Sequence, residues 1–136
     1  MGLGRWLRGL RGRSAAAQLE LDRAVAAVDR ELAANLELSA MFDATHQAFV
    51  LENGAFAIYR ATMEREIPAA FALTLDVYLR IPDAESAMER RGPANSLRDT
   101  DRAIVEGWEG DAREAQRALR AAAAERPTAW ARLRGR

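Results

Sequence analysis

Residues 14–49 read SAAAQLELDRAVAAVDRELAANLELSAMFDATHQAF and contain neither proline nor glycine. A mainly apolar set of side chains recurs in them at spacings of three and four, which places the set on one face of a helix. This stripe consists of Gln18, Leu21, Val25, Val28, Leu32, Asn35, Ser39, Phe42, His46 and Phe49. The pattern predicts one long helix, which would extend about 50 Å at its rise per residue.

Polar residues interrupt the apolar face of this predicted helix, among them Asn35 and Ser39. A polar residue at a core position lowers stability but can specify register and partner number. Alternatively, a slight rotation of the helix leaves Asn35 at the surface and buries Leu36, Leu38 and Met41 instead. The interface that we predict for self-association or for a protein partner comprises Leu21, Val25, Val28, Leu32, Asn35 and Trp108.

The chain has 136 residues, the size of one domain with a modest core. It contains no cysteine, and all twenty of its basic residues are arginine. Disulfides, thiolate nucleophiles, zinc–thiolate sites and lysine Schiff bases are therefore excluded. The carboxylates are scattered along predicted helix faces, and the single histidine, His46, does not make a metal site with Asp43. We expect no enzyme activity, no cofactor and no metal.

Charge is unevenly distributed along the chain, although the formal net charge is zero. Residues 1–13 and 126–136 each carry four arginines and no acid, so all twenty acidic residues lie between them. We therefore divide the chain into a basic amphipathic tail (1–13), a single helical domain (14–125) and a basic C-terminal tail (126–136).

Tryptophan and leucine accompany the arginines in both tails. A basic amphipathic segment with an interfacial tryptophan suits an anionic membrane surface, where each arginine contributes about 1 kcal/mol. Four glycines in residues 1–13 oppose a stable helix, so a soluble tail and a phosphate contact with nucleic acid stay open as alternatives. The residues predicted to contact a membrane or another polyanion are Arg5, Trp6, Leu7, Arg8, Leu10, Arg11, Arg13, Trp130, Arg132 and Arg134.

Residues 48–60 and 71–81 are compatible with helix and with strand. Asn53-Gly54 between apolar runs is typical of a β-hairpin, but Asn53 is also a good N-cap for a helix that begins at Gly54. Apolar residues alternate in FALTLDVYLRI (71–81) as in a strand, yet several of them also follow helical spacing. We predict helix, with Pro68 either kinking it or starting a new one. The alternative is an α+β fold with a hairpin at Asn53-Gly54.

The last third of the chain is predicted to form two further helices. A short one begins at Pro82 and stops before Gly92-Pro93. A longer one opens with a capping box at Ser96 and Asp99 and runs to about residue 125. Glycines on both sides of Trp108 would let another helix approach closely there. The buried stripe of this helix is predicted to contain Leu97, Ile104, Trp108, Ala112, Ala115, Leu119 and Ala122.

Short motifs in residues 30–81 carry a resemblance: NLEL at 35–38, Ala55-Phe56 behind Asn53, Ile67-Pro68, Tyr78 and Ile81. Together they resemble a pattern in uncharacterised small bacterial helical proteins, in which such a helix follows a membrane-spanning N-terminus. The resemblance implies helices and a membrane-proximal setting, and no particular activity. This chain departs from the pattern because residues 1–13 are too short and too charged to span a bilayer.

These features predict an all-α protein, an elongated antiparallel bundle of three to four helices with a long first helix. We expect a non-catalytic scaffold or adaptor that acts through protein–protein contacts or self-association. We expect it in the cytoplasm, peripheral to the inner face of a membrane. The alternative is a nucleic-acid- or ribosome-associated factor that uses the arginine-rich tails, and no small-molecule substrate is identified.

Overall fold

The computed structural model describes residues 13–45, 50–90 and 97–125, without the side chains of residues 43 and 44. Those ranges contain helices and no strand, so the predicted all-α class is confirmed and the α+β alternative is wrong. The helices are α1 (Ala15–Thr45), α2 (Gly54–Glu66), α3 (Pro68–Leu79), α4 (Ile81–Glu89) and α5 (Asp99–Ala124). Pro68 starts the new helix α3, which is one of the two outcomes that the sequence predicts for it.

Helix α1 buries the stripe that its sequence predicts. The Ser14 hydroxyl accepts a hydrogen bond from the amide of Ala17 at 3.1 Å, which caps the first turn. Asn35 is fully buried whereas Met41 is 47% exposed, so the alternative rotation of the helix is wrong. His46 and Phe49, the predicted end of the stripe, lie outside the described residues. The stripe residues buried in the core are Leu21, Val25, Val28, Leu32, Asn35, Ser39 and Phe42.

The two segments that fit both helix and strand are helical where the structure describes them. Helix α2 begins at Gly54, directly after Asn53, and Pro68 occupies the first turn of α3. Ile67, with φ −137° and ψ 63°, separates the two helices, which agrees with the preference of a residue before proline for non-helical conformations. The strand-like alternation in residues 71–81 does not determine burial, because the buried side chains follow helical spacing. They are Phe71, Thr74, Val77, Tyr78 and Ile81.

Helix α5 buries the predicted residues Trp108, Ala112, Ala115 and Leu119, and its core face differs from the prediction at residue 104. Ile104 is 39% exposed, whereas its neighbour Val105 is 3% exposed and packed in the core. The core positions of α5 recur at alternating spacings of four and three. Val105 is one of these positions and Ile104 is not. Arg98 occupies the N-cap position without a side-chain bond, and Ser96 of the predicted capping box lies outside the described residues. The core face consists of Asp101, Val105, Trp108, Ala112, Ala115 and Leu119.

Helix α1 packs antiparallel to both α2 and α5. Gln18 near the start of α1 donates to the carbonyl of Ala123 near the end of α5, at 3.2 Å. Thr62 near the end of α2 donates to Glu20 of α1 at 2.9 Å. Helix α5 also packs against α3 and α4, so it lies between α1 and the α3–α4 pair and contributes to most of the core.

Candidate functional site

The six residues predicted as a partner interface lie in the core of the chain instead. Leu21, Val25, Val28, Leu32, Asn35 and Trp108 are all at least 95% buried. Antiparallel packing of α1 against α2 and α5 covers this stripe, because three helices of one chain meet where we had expected a second molecule. The interface assigned to these side chains is therefore corrected, and a contact surface has to be formed by other residues.

The predicted membrane or polyanion contacts fall almost entirely outside the described residues. Arg5, Trp6, Leu7, Arg8, Leu10, Arg11, Trp130, Arg132 and Arg134 all lie there. Arg13 is described, and its guanidinium lies against the end of α2. Its Nη2 donates to the carbonyl of Glu66 at 2.9 Å, and its Nε is 3.5 Å from the Glu66 carboxylate. Arg13 thus contacts the helical body.

Glu31 of α1 is a buried carboxylate that joins three helices. It accepts the backbone N–H groups of Ala55 at 2.7 Å and Phe56 at 3.1 Å, which belong to the first turn of α2. It also accepts the hydroxyl of Tyr78 from α3 at 2.8 Å. Burial, with the hydrogen bond to Glu31 as the second cause, raises the pKa of Tyr78. All three donors are structural groups of the chain, and Glu31 caps α2 in place of Asn53, which makes no side-chain cap bond.

Aromatic rings surround the Glu31 contacts. The Phe56 and Tyr78 rings are stacked with centroids 4.2 Å apart, and Phe71 stacks on Phe56 at 6.0 Å. The guanidinium carbon of Arg60 lies 5.6 Å from the Phe56 centroid and 5.9 Å from that of Phe71. Arg60 and Phe56 belong to α2 and Phe71 to α3, so this cation–π contact joins the two helices.

Residues 50–53, which precede α2, are bound by side chains from two helices. Asn35 donates to the carbonyl of Glu52 at 2.8 Å and accepts its N–H at 2.7 Å. Glu85 of α4 accepts the N–H of Leu51 at 2.8 Å. The side-chain amide of Asn35 is thus hydrogen-bonded within the chain. The sequence had indicated that Asn35 could instead specify register and partner number.

A cleft of about 390 Å³ opens between α4 and α5. Asp83, Ser86 and Arg90, three and four positions apart along α4 and its C-terminal end, form one wall. Residues of α5 form the other wall. The indole N–H of Trp108 donates to the carbonyl of Val77 at 3.0 Å, which anchors the floor. The cleft is lined by Arg80, Asp83, Ser86, Arg90, Ala103, Ile104, Gly107 and Trp108.

Carboxylates hold both arginines of the cleft. Nη2 of Arg80 lies 2.7 Å from Asp76 and 2.7 Å from Asp111. The hydrogen bond to Asp111 is the largest cause that raises the pKa of Arg80, which keeps the guanidinium charged. Nε and Nη2 of Arg90 both donate to one oxygen of buried Asp101, at 3.0 and 2.8 Å.

The outer face of α3 is an apolar surface. Leu73 is 46% exposed and Leu79 is 68% exposed, and Pro68, Ala69 and Ala72 on the same side are exposed as well. Asp76 is the only charged residue of this helix, and its carboxylate is paired with Arg80 at 2.7 Å. Exposed apolar residues that share one face differ in this respect from apolar residues scattered singly over a surface.

Two kinds of site are absent from residues 13–45, 50–90 and 97–125. No three His, Cys, Asp or Glu side chains there are grouped so that they could hold a metal ion. None of the helices in those ranges combines the length and the hydropathy required to cross a bilayer.

Comparison with known proteins gives no family for this chain. No protein-family model, no curated protein and no solved structure matches it significantly. The resemblance of residues 30–81 to small bacterial helical proteins therefore stays a prediction.

Proposed function

We propose that the chain is a non-catalytic helical adaptor that self-associates through the outer face of α3. The observation that carries the proposal is the apolar composition of that face, which exposes Leu73 and Leu79. A helix that is apolar on both sides normally has a neighbour on both sides. Helix α3 has α2, α4 and α5 on its inner side, so a second copy would supply the outer neighbour.

A second copy suits this surface because Asp76 is the only charged residue of α3 and its carboxylate is ion-paired. Arg80 binds Asp76 and shares its guanidinium with Asp111, so two such faces can meet without burying an unpaired carboxylate. Leu73 lies at the middle of α3, where a two-fold axis would bring the two Leu73 side chains together. Ala69 and Ala72 would let the two backbones approach closely, as small residues do at helix–helix contacts.

The test is sedimentation equilibrium of the full chain with Leu73→Arg, and separately with Leu79→Arg. We expect a dimer for the unmodified chain and at least tenfold weaker dimerisation for either variant. Leu73→Arg brings two like charges together at the axis, and Leu79→Arg places an unpaired charge in an apolar contact. Leu19→Arg is the matched control, since Leu19 is 53% exposed on α1, away from α3. A chain that stays monomeric at high micromolar concentration, or equal effects of the control, would contradict the proposal.

Peripheral attachment to the inner face of a membrane forms a second part of the proposal. It is supported by the sequence of residues 1–13 and 126–136, in which tryptophan and leucine accompany arginine. Co-sedimentation with vesicles that contain anionic lipid is expected to weaken with Trp6→Ala. If Trp6→Ala has no effect and salt alone controls binding to polyanions, the alternative of a nucleic-acid- or ribosome-associated factor is favoured.

A further inference from the structure

We propose that residues 1–12 of one copy bind an acidic surface of the other copy in the dimer. This acidic surface is formed by Asp76, Asp83 and Asp111, where α3 ends and the cleft between α4 and α5 begins. Such binding rests on the proposed self-association through the outer face of α3, and it names the segment that extends this contact. It does not require attachment to a membrane.

Carboxylates outnumber guanidiniums at the C-terminal end of α3. Asp76 and Asp111 share one guanidinium, that of Arg80. Both aspartate side chains are more exposed than the arginine between them, at 65% and 49% against 35%. Asp83 adds a further carboxylate to the lining of the cleft, whose second arginine, Arg90, is already paired with a buried carboxylate. The surface is therefore negatively charged and attracts a basic partner.

The shape of the outer face of α3 favours an antiparallel pair of α3 helices. Leu79 is 68% exposed near the C-terminal end, whereas the smaller residues Pro68 and Ala69 are exposed at the N-terminal end. A two-fold axis perpendicular to α3 at Leu73 would place Leu79 of each copy opposite the smaller residues of the other. It would also bring together helix ends of opposite partial charge. The end of α3 in one copy then faces the start of α3 in the other.

The N-terminal segment joins the helical body beside the start of α3. The guanidinium of Arg13 lies against Glu66, two positions before Pro68, the first residue of α3. In the antiparallel pair this point faces the acidic surface of the other copy. Within one copy the two lie at opposite ends of α3, which is about 18 Å long. Trp6 can be at most about 24 Å from Arg13, so the acidic surface of the other copy is the nearer one.

Residues 1–12 carry the chemistry that complements the acidic surface. They contain three arginines and no acidic residue, and the guanidinium of arginine presents several N–H donors to carboxylates. Leucines and Trp6 accompany the arginines. Ile104, which is 39% exposed in the lining of the cleft, offers these apolar side chains a contact. Charge and apolar area thus fit the same segment.

The experiment detects contact between two copies by nuclear magnetic resonance of the full chain. Because the chain has no cysteine, Gly4→Cys gives a single position for a nitroxide, which broadens the signals of nearby amides. Chains with the nitroxide and without ¹⁵N are mixed with ¹⁵N-labelled chains that lack the nitroxide, so any broadening arises between copies. We expect the amide signals of Ser86 and Gly107 to lose intensity. The signal of Leu19, which lies near the other end of α5, should keep its intensity.

Matched variants connect the contact to charge. Asp83→Asn and Arg8→Gln are each expected to weaken the dimer about threefold in sedimentation equilibrium, because each removes one exposed ion pair. Glu37→Gln changes an exposed acid of α1, and Arg132→Gln changes an arginine of the C-terminal tail. These two controls should leave the dimer unchanged. Equal weakening by Glu37→Gln and Asp83→Asn would contradict the assignment to the acidic surface.

Two measurements separate binding of the segment from the dimer itself. Suppose that sedimentation shows a dimer that Leu73→Arg dissociates, while Ser86 and Gly107 keep their signals in the mixed sample. The segment then does not bind the acidic surface, although the α3 contact stands. Broadening that occurs only when both labels are on the same chain would assign the segment to its own copy and would also overturn the inference. A chain that stays monomeric at high micromolar concentration would overturn both proposals.

Discussion

The hydroxyl of Tyr78 donates a hydrogen bond to the carboxylate of Glu31 at 2.8 Å inside the core, across 47 positions of sequence. The same carboxylate oxygen accepts the N–H of Phe56 at 3.1 Å. One side chain of α1 therefore fixes the start of α2 and the end of α3 at a single point. The free energy of unfolding should depend on Glu31 more than on any exposed acid of α1.

Glu31→Gln is expected to lower the free energy of unfolding by about 2 kcal/mol. The amide has one acceptor oxygen where the carboxylate has two, so a donor of the new side chain faces an N–H or O–H group. Urea unfolding followed by circular dichroism measures the change. Glu37→Gln, an exposed substitution on the same helix, should change stability by less than about 0.5 kcal/mol. Equal effects of the two variants would contradict this role for Glu31.

Stability should fall at alkaline pH because of Tyr78. Its pKa is raised in the folded chain by burial and by Glu31, so the contribution is constant below about pH 10, the pKa of an unfolded tyrosine. Above that pH the unfolded chain loses the proton that the folded chain keeps, and stability decreases by about 1.4 kcal/mol per pH unit. Tyr78→Phe removes this part of the decrease. Urea unfolding of both proteins from about pH 9 to about pH 11 measures the difference. The same decrease of unfolding free energy with pH in both proteins would contradict the assignment.

Asn35 should contribute more to stability than its polar character indicates. Asn35→Leu leaves the N–H and the carbonyl of Glu52 without their partners, which is expected to cost about 2–3 kcal/mol of unfolding free energy. Asn53→Ala is the control, because Asn53 is exposed and makes no side-chain cap bond. Urea unfolding of the two variants compares them. A stabilised Asn35→Leu protein would show that the Glu52 contacts are dispensable.

The one-position difference in the core face of α5 can be measured directly. Val105→Ala should lower the free energy of unfolding by about 2 kcal/mol, since it leaves a cavity in the core. Ile104→Ala removes more atoms but from a partly exposed position, so it should cost about 0.5 kcal/mol. Thermal unfolding of the two variants distinguishes them. A larger loss of stability for Ile104→Ala than for Val105→Ala would contradict the burial of Val105 and support the predicted burial of Ile104.

Helical periodicity predicted the long first helix, because the period of its stripe extends over several turns. The polar interruptions at Asn35 and Ser39 left the rotation of that helix open, and the structure buries both residues. The choice was harder in residues 71–81, because apolar residues surround the α3 axis and the period carries little information. In α5, the apolar residues Ile104 and Val105 are adjacent, so the sequence did not determine which of the two is buried.

The polar contacts of the core could not be predicted from the sequence. Glu31 appears in it as one of several acids on α1, and its partners Phe56 and Tyr78 are 25 and 47 positions away. Local rules assign the capping of α2 to Asn53, the adjacent residue. The cleft between α4 and α5 is also a tertiary feature, since its two walls come from separate helices.

Capping of α2 from another helix has a consequence for hydrogen exchange. Amides in the first turn of a helix usually exchange with solvent quickly, because they have no partner within the helix. Here the amides of Ala55 and Phe56 are bonded to a buried side chain of α1. They can exchange only when α1 and α2 separate, so their protection reports the opening of the whole α1–α2 pair rather than fraying at a helix end.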